Sequence, residues 1–219
     1  MSGPRTDNLS ARPAISPWLA GGGIDPDETI GRRFTLLVIL LAIVLRFYRL
    51  GADGLWIDEY FTWFNVNPPP GHGFWEQFRD NIQGPLYLAA LWPFVGDDLS
   101  EFLLRLPAAL AGVAAVPLVM RLGRQLGDAR AGAWAGLLLA VNPFHIWYSQ
   151  EARGYAFLIL WSLAATLVLV RMLREGATVR RGLAYGLFSG LAVLSNMSAL
   201  FLCVAHGLAV MVMARPWRP

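Results

Sequence analysis

Two successive carboxylates, Asp58 and Glu59, stand between Trp56 and Tyr60. Neighbouring aromatic rings lower the local dielectric, which raises the pKa of at least one carboxyl group and suits a general base. Such a pair also offers oxygen ligands to a divalent cation, Mg or Mn, and it equally fits the solvated face of a surface helix. A second group, Ser149-Gln150-Glu151-Ala152-Arg153-Gly154-Tyr155, lies between two strongly apolar stretches. If those stretches cross a membrane, Glu151 and Arg153 sit at its surface, where an unpaired ionised group costs roughly 2.5–3.5 kcal/mol. Residues two apart do not face each other on a helix, so these two are not each other's partners. An Arg at that depth suits a phosphate; an ion pair between helices is the alternative. The third candidate is Arg105, in Glu101-Phe102-Leu103-Leu104-Arg105-Leu106-Pro107. It can neutralise Asp58 or Glu59, meet a phosphate, or snorkel to the headgroups.

The elements that position these groups follow from composition. Of the 219 residues, 56% are hydrophobic and 15% charged, and the mean hydropathy is +0.46. Soluble domains average about 45–50% apolar and about 25% charged. The balance excludes an ordinary soluble domain and a disordered chain. A single Cys excludes a disulfide framework and a Cys-based zinc site, and the three His are not at ligand spacing. The net charge is +3 and the pI about 9.4, yet every basic residue is Arg and the charges lie between apolar runs. That pattern points to a membrane and not to nucleic acid. No glycine-rich phosphate loop is present.

The expected fold is an all-α integral membrane protein with about six transmembrane helices. Residues 1–33, rich in Pro, Gly, Ser and Asp, read as a flexible cytoplasmic tail, and 34–219 as the transmembrane module. Apolar stretches at 34–50, 106–120, 131–148 and 154–170 each read as a pass. The uncharged run 182–214 is too long for one span of roughly 20 residues and divides near Ser195-Asn196-Met197-Ser198. Arg46 and Arg49 are expected to snorkel. Pro117 and Asn142-Pro143 are expected to kink their helices, and Gly186, Gly190 and Gly207 to mark close helix packing. With the N-terminus in the cytoplasm, only Arg46, Arg49, Arg79, Arg105 and Arg153 of the Arg residues fall outside, in keeping with the positive-inside rule.

The first outer loop, about 51–103, carries too many aromatic residues for a solvent loop. At 100° per residue, Trp56, Ile57, Tyr60, Phe61, Trp63 and Phe64 share one arc, with Asp58 and Thr62 opposite and Glu59 at the boundary. A second amphipathic helix is read over 74–82 and a short apolar one over 86–95, with Pro85 in its first turn. The loop thus reads as a lid of two or three helices flat on the outer leaflet.

Four segments occur in order: Leu55-Trp56-Ile57-Asp58-Glu59, Gln83-Gly84-Pro85-Leu86-Tyr87, the Arg105 segment, and Tyr148 through Tyr155. Together they resemble the N-terminal half of the GT-C superfamily of membrane glycosyltransferases. The branch is the bacterial relatives of dolichyl-phosphate-mannose protein mannosyltransferase and of the lipid A aminoarabinose transferase. The resemblance implies an inverting transfer from a polyprenyl-phosphate-linked sugar donor to the hydroxyl of a glycan, lipid or protein acceptor. It places that transfer at the extracytoplasmic face of the plasma membrane. It implies Asp58 as the proton acceptor and Glu59 as its support or a cation ligand. Arg105 and Arg153 would hold the leaving phosphate, and Glu151 and Tyr155 would line the same cavity. Family members run to more than twice this length, so the resemblance implies a portion of a longer protein or a short form completed by a partner chain. Several members carry His where this chain has Gly84. A non-catalytic membrane module that binds a lipid phosphate or scaffolds a larger transferase is the competing reading.

Overall fold

A computed structural model describes residues 28–67, 71, 76, 79, 84–94 and 100–214. All regular structure among them is helical: α1 (Glu28–Phe47), α2 (Ile57–Val66), α3 (Pro85–Leu91) running into a 3₁₀ turn (Trp92–Phe94), α4 (Glu101–Leu126), α5 (Ala129–Val141), α6 (Pro143–Ser149), α7 (Tyr155–Glu175), α8 (Val179–Ser195) and α9 (Ala199–Ala214). The tail expected over 1–33 lies mostly outside the described residues, and α1 already begins at Glu28. The amphipathic helix expected over 74–82 also lies largely outside them.

The helix starts are written in the sequence. The Ser100, Asp128, Asn142 and Thr178 side chains each accept a backbone N–H from the first turn of α4, α5, α6 and α8. The long apolar run divides where its polar residues predict: α8 ends at Ser195 and α9 starts at Ala199. Two helices are long and apolar enough to cross a membrane, α4 with 26 residues and α7 with 21. At 1.5 Å per residue they measure about 39 and about 32 Å, against a hydrocarbon core of about 30 Å.

Helix α4 is the centre of the bundle. Helices α1, α5, α6 and α7 pack against it, α3 touches its N-terminal part, and α8 and α9 pack on α7. Small residues allow the close approaches. A Cβ built on Gly132 would lie 2.5 Å from the Met120 carbonyl oxygen, and one on Gly112 would lie 2.1 Å from Ser149 Oγ. The glycines expected at helix contacts, Gly186, Gly190 and Gly207, have nothing within 4 Å of that position. The tight seams lie instead along α4, because its neighbours converge on it from several sides.

The stretch 131–148 is not one continuous pass. Helix α5 ends at Val141, Asn142 turns out of the helix at ψ 118°, and Pro143 opens α6. Proline has no N–H to give the Leu139 carbonyl, so the break leaves the end of α5 short of donors. Arg46 supplies them. Its Nη2 donates to Leu139 O at 3.0 Å and its Nη1 to Ala140 O at 3.0 Å. Arg46 does not snorkel: it is 0% exposed. It carries its charge to a helix C-terminus, where the dipole favours a cation. Its Nη2 also lies 2.7 Å from His145 Nδ1. A guanidinium only donates, so this contact needs neutral His145 with its proton on Nε2. Gln150 completes the joint by donating from its amide to Leu45, Arg46 and Tyr48 carbonyls at the end of α1.

Replacing Arg46 by Leu strips both donors from the broken end of α5 and should destabilise the fold by about 2–5 kcal/mol. Arg46→Lys should recover only part of this, since an ammonium lacks the planar fork. Thermal unfolding in detergent checks it; wild-type melting of both variants would contradict the joint.

Candidate active site

Helix α2 is amphipathic with its polar side inward. Glu59, Thr62 and Val66 are buried, whereas Trp56, Ile57, Tyr60 and Phe61 are exposed. Most of the aromatic arc that the helical period picks out faces away from the protein, whereas Trp63 packs against the core. The polar arc is pressed against the bundle and carries both carboxylates.

Glu59 and Arg105 form a buried bidentate pair. Arg105 Nε donates to Glu59 Oε1 at 2.8 Å and Nη2 to Oε2 at 2.6 Å. The remaining guanidinium hydrogens go to backbone carbonyls: Nη1 to Leu50 and Asp53, Nη2 to Gly54. All five donors of Arg105 are therefore engaged. Glu59 Oε1 also accepts the Ala152 N–H at 2.8 Å. One ion pair thus ties three parts of the chain together: the turn before α2 and α2 itself, the start of α4, and the turn between α6 and α7. Of the readings open to Arg105, the geometry realises neutralisation of Glu59. Both Glu59 oxygens accept hydrogen bonds, Oε1 from Arg105 and Ala152 and Oε2 from Arg105. No group of three His, Cys, Asp or Glu that could hold a metal occurs among the described residues.

Asp58 points elsewhere. Its side chain is 38% exposed and its Oδ2 lies 3.8 Å from Arg153 Nη2. Arg153 also donates from Nη1 to the Asp58 carbonyl at 3.3 Å, and its guanidinium carbon stands 5.9 Å from the centre of the Tyr155 ring. At 3.8 Å the ion pair is loose, and Arg153 retains donor capacity that Arg105 does not have. Arg153 and Tyr155 line a cavity of about 420 Å³ together with Thr62, Gly84 and Ser195. A Cβ on Gly84 would lie 2.1 Å from the Ser195 carbonyl oxygen. The departure from His at this position therefore accompanies a close approach of the α3 start to the end of α8.

Glu151 shares a different cavity with the Glu59–Arg105 pair. With Glu59, Arg105, Trp56, Trp147 and Gln150 it lines a cavity of about 520 Å³. The residue is 5% exposed. Trp147 Nε1 donates to Oε1, and Oε2 has no partner. Burial pushes its carboxyl above the ordinary 4.5, and the nearby charges of Glu59 and Asp58 push the same way, against the Trp147 hydrogen bond and Arg153.

The candidates thus divide: Glu59, Arg105 and Glu151 line one cavity, Arg153 and Tyr155 line another, and Asp58 stands beside Arg153. Sequence reasoning missed the supporting residues Arg46, Ser149 and Gln150. The signal for Arg46 was a charge inside an apolar stretch; Gln150 lay within the Tyr148–Tyr155 segment with no role assigned.

Two outcomes are expected. Glu59→Gln should cost about 3–5 kcal/mol of stability, as breaking one side of a buried pair does; an unchanged denaturation midpoint in detergent would contradict the pairing. For Glu151 the fold favours the protonated acid. Its favourable contribution is fully present below the unfolded value near 4.5 and is lost as pH rises through the elevated folded value. Glu151→Gln should therefore gain stability over wild type between pH 4 and pH 8. A gap that stays flat or shrinks over that range would contradict the assignment.

Residues 84–219 match the model of the dolichyl-phosphate-mannose-protein mannosyltransferase family. No curated protein and no solved structure matches the chain. The matched region contains Gly84, Arg105, Glu151, Arg153 and Tyr155. Asp58 and Glu59 precede it and are joined to it by the hydrogen bonds of Glu59 to Arg105 and Ala152. With more than half of its length matched, the chain belongs to the dolichyl-phosphate-mannose-protein mannosyltransferase family, within the GT-C membrane glycosyltransferases.

Proposed function

We propose that the chain moves a sugar from a polyprenyl-phosphate donor to an acceptor hydroxyl, with inversion, at the extracytoplasmic face of the plasma membrane. The observation that carries this reading is the juxtaposition of Asp58 and Arg153. A half-open carboxylate lies 3.8 Å from a guanidinium that is not saturated by the fold. Asp58 takes the proton of the acceptor hydroxyl as its oxygen bonds to the anomeric carbon. The bond from that carbon to the phosphate oxygen breaks, and the phosphate leaves with the electron pair. Arg153, steadied by the Tyr155 ring, balances the charge that grows on the phosphate. Base and cation are held at a fixed separation because Glu59 and Arg105 fasten α2 to the turn that carries Arg153. Glu59 and Arg105 are positioning residues in this reading, and Glu151 and Tyr155 belong to the cavity walls.

The membrane setting agrees with this chemistry. Two helices of spanning length, α4 and α7, stand among helices whose outward faces are apolar, including Leu37 and Leu40 on α1 and Phe201 and Met211 on α9. Six passes are counted by taking α5 and α6 as one broken pass. The distribution of Arg then puts the N-terminus in the cytoplasm and Asp58 outside. The exposed aromatic arc of α2 suits the headgroup layer, which sets the polar arc beside the outer ends of the passes.

Asp58→Asn should reduce transfer from polyprenyl-phosphate mannose by about 10²–10⁴-fold, with unfolding unchanged. The full chain is assayed in liposomes against a hydroxyl acceptor. Arg153→Ala should lower kcat and raise KM together, and Arg153→Lys should restore part of both. Wild-type transfer by a folded Asp58→Asn protein would contradict the proposal.

A further inference from the structure

The two ends of the bundle treat arginine differently. At the end that carries the two cavities, Arg46 holds backbone carbonyls and His145, Arg49 pairs with Asp53, Arg105 with Glu59 and Arg153 with Asp58. Arg46 ties the end of α1 to the end of α5, and Glu59 ties the start of α4 to the turn before α7. The starts of α1, α5 and α8 and the ends of α4 and α7 therefore lie at the opposite end. Among the described residues nine Arg gather there, from Arg32 and Arg33 on α1 to Arg180 and Arg181 on α8, against three acids, Glu28, Asp128 and Glu175. Asp128 caps α5, and Glu175 pairs with Arg181. The side chains of Arg121, Arg124, Arg130, Arg171 and Arg180 are exposed and have no hydrogen bond or ion pair among the described residues. Helix stability accounts for only part of this. Arg124 and Arg174 stand in the last turns of α4 and α7, where the helix dipole favours a cation. Arg130 and Arg180 stand in the first turns of α5 and α8, where it disfavours one. No acid shares either turn, and only α5 has an acidic cap.

Each of these two Arg heads a stripe of exposed apolar side chains. On α5, Arg130, Trp134 and Leu138 recur every four residues and share a face; on α8, Arg180 precedes Leu183 and Leu187 by three and seven residues. Side chains on a helix lean toward its N-terminus, so both guanidinium groups reach past the helix start while the stripe runs back along the bundle. A guanidinium matches two phosphate oxygens, and an anion above two turns of apolar surface has the outline of a phospholipid. A free phosphate or a soluble acidic partner would leave the stripes bare. We propose that this end of the bundle docks anionic phospholipids, with phosphate headgroups on Arg130 and Arg180. The acyl chains lie along Trp134 and Leu138 of α5 and along Leu183 and Leu187 of α8. The exposed Arg124 and Arg171, near the ends of α4 and α7, add to the field that draws the headgroups. In the orientation proposed above, the surface meets the cytoplasmic leaflet. The docking needs a membrane and no sugar transfer.

The full chain in detergent is mixed with equimolar phosphatidylglycerol and phosphatidylcholine, passed through gel filtration, and its retained lipid is extracted and weighed by mass spectrometry. Phosphatidylglycerol should be retained about tenfold in excess or more. The excess should shrink in 1 M salt, where the screening length is about 3 Å. Arg130→Gln and Arg180→Gln should each lower it about fivefold, and the two together should abolish it. Arg130→Lys with Arg180→Lys, which keeps the charge and hence the topology, should keep part of it. Arg49→Gln, at the other end of the bundle, should leave it unchanged. Phosphatidylglycerol should also raise the unfolding temperature of the wild-type chain, and inorganic phosphate at the same concentration should not. The readout involves no sugar transfer, so a failure of this inference and a failure of the catalytic proposal give different results. Equal retention of the two lipids by the wild-type chain, an undiminished excess in a folded Gln double variant, an equal loss in Arg49→Gln, or equal stabilisation by inorganic phosphate would overturn the inference.

Discussion

The buried pair of Glu59 and Arg105 is the constraint on which the site depends. It joins residues 46 positions apart, and through the Ala152 N–H it reaches 93 positions along the chain. Desolvating two charges is costly, and the cost is met here because every oxygen and every guanidinium hydrogen has a partner. Such a pair adds little stability compared with a packed apolar replacement, but it specifies one arrangement. If α2 slid or turned relative to α4, two charges would be left unpaired in a dry place. The carboxylate next in sequence, Asp58, is thereby fixed in direction, and so is the turn that presents Arg153.

A second polar joint supports the first from the other side. The break at Asn142-Pro143 ends α5, and α6 carries Trp147 towards the cavity that Gln150 and Glu151 also line. The break exposes carbonyls at the end of α5, and Arg46 covers them. Ser149 and Gly112 let α4 come close enough to seal this joint, since any Cβ at Gly112 would collide with Ser149 Oγ. The two buried Arg residues thus do related work. Each satisfies backbone groups that an irregular segment would leave bare. Arg153 stands apart because the fold does not use it up.

Much of this was legible in the sequence and some was not, for physical reasons. The apolar stretches were legible, whereas the caps at Ser100, Asp128 and Thr178 that start three of the helices went unread. The division of the long apolar run at Ser195 to Ser198 was readable because 33 uncharged residues exceed one span of roughly 20. That Asp58-Glu59, Arg105 and Glu151–Arg153 come near one another was implied by the family resemblance, and the need of charges beside apolar stretches for partners agrees with it. Which partner each takes was not, since that depends on contacts between distant segments. Arg105 had three readings, and only the approach of α2 selects one. Arg46 looked like a snorkelling residue because the carbonyls that hold it lie more than ninety positions away. The aromatic arc of α2 was found by its period, yet period alone does not tell which arc faces the protein. In a bundle surrounded by lipid the apolar side turns outward and the polar side inward.

Arg105 is closed on Glu59 whereas Arg153 keeps donors to spare, so a phosphate is expected on Arg153 and not on Arg105. An experimental structure of the full chain in lipid, with polyprenyl phosphate bound, tests this most directly. The phosphate is expected within hydrogen-bond reach of the Arg153 guanidinium, with Asp58 beside it and Arg105 still closed on Glu59. A phosphate seated on Arg105, with Glu59 released, would contradict it.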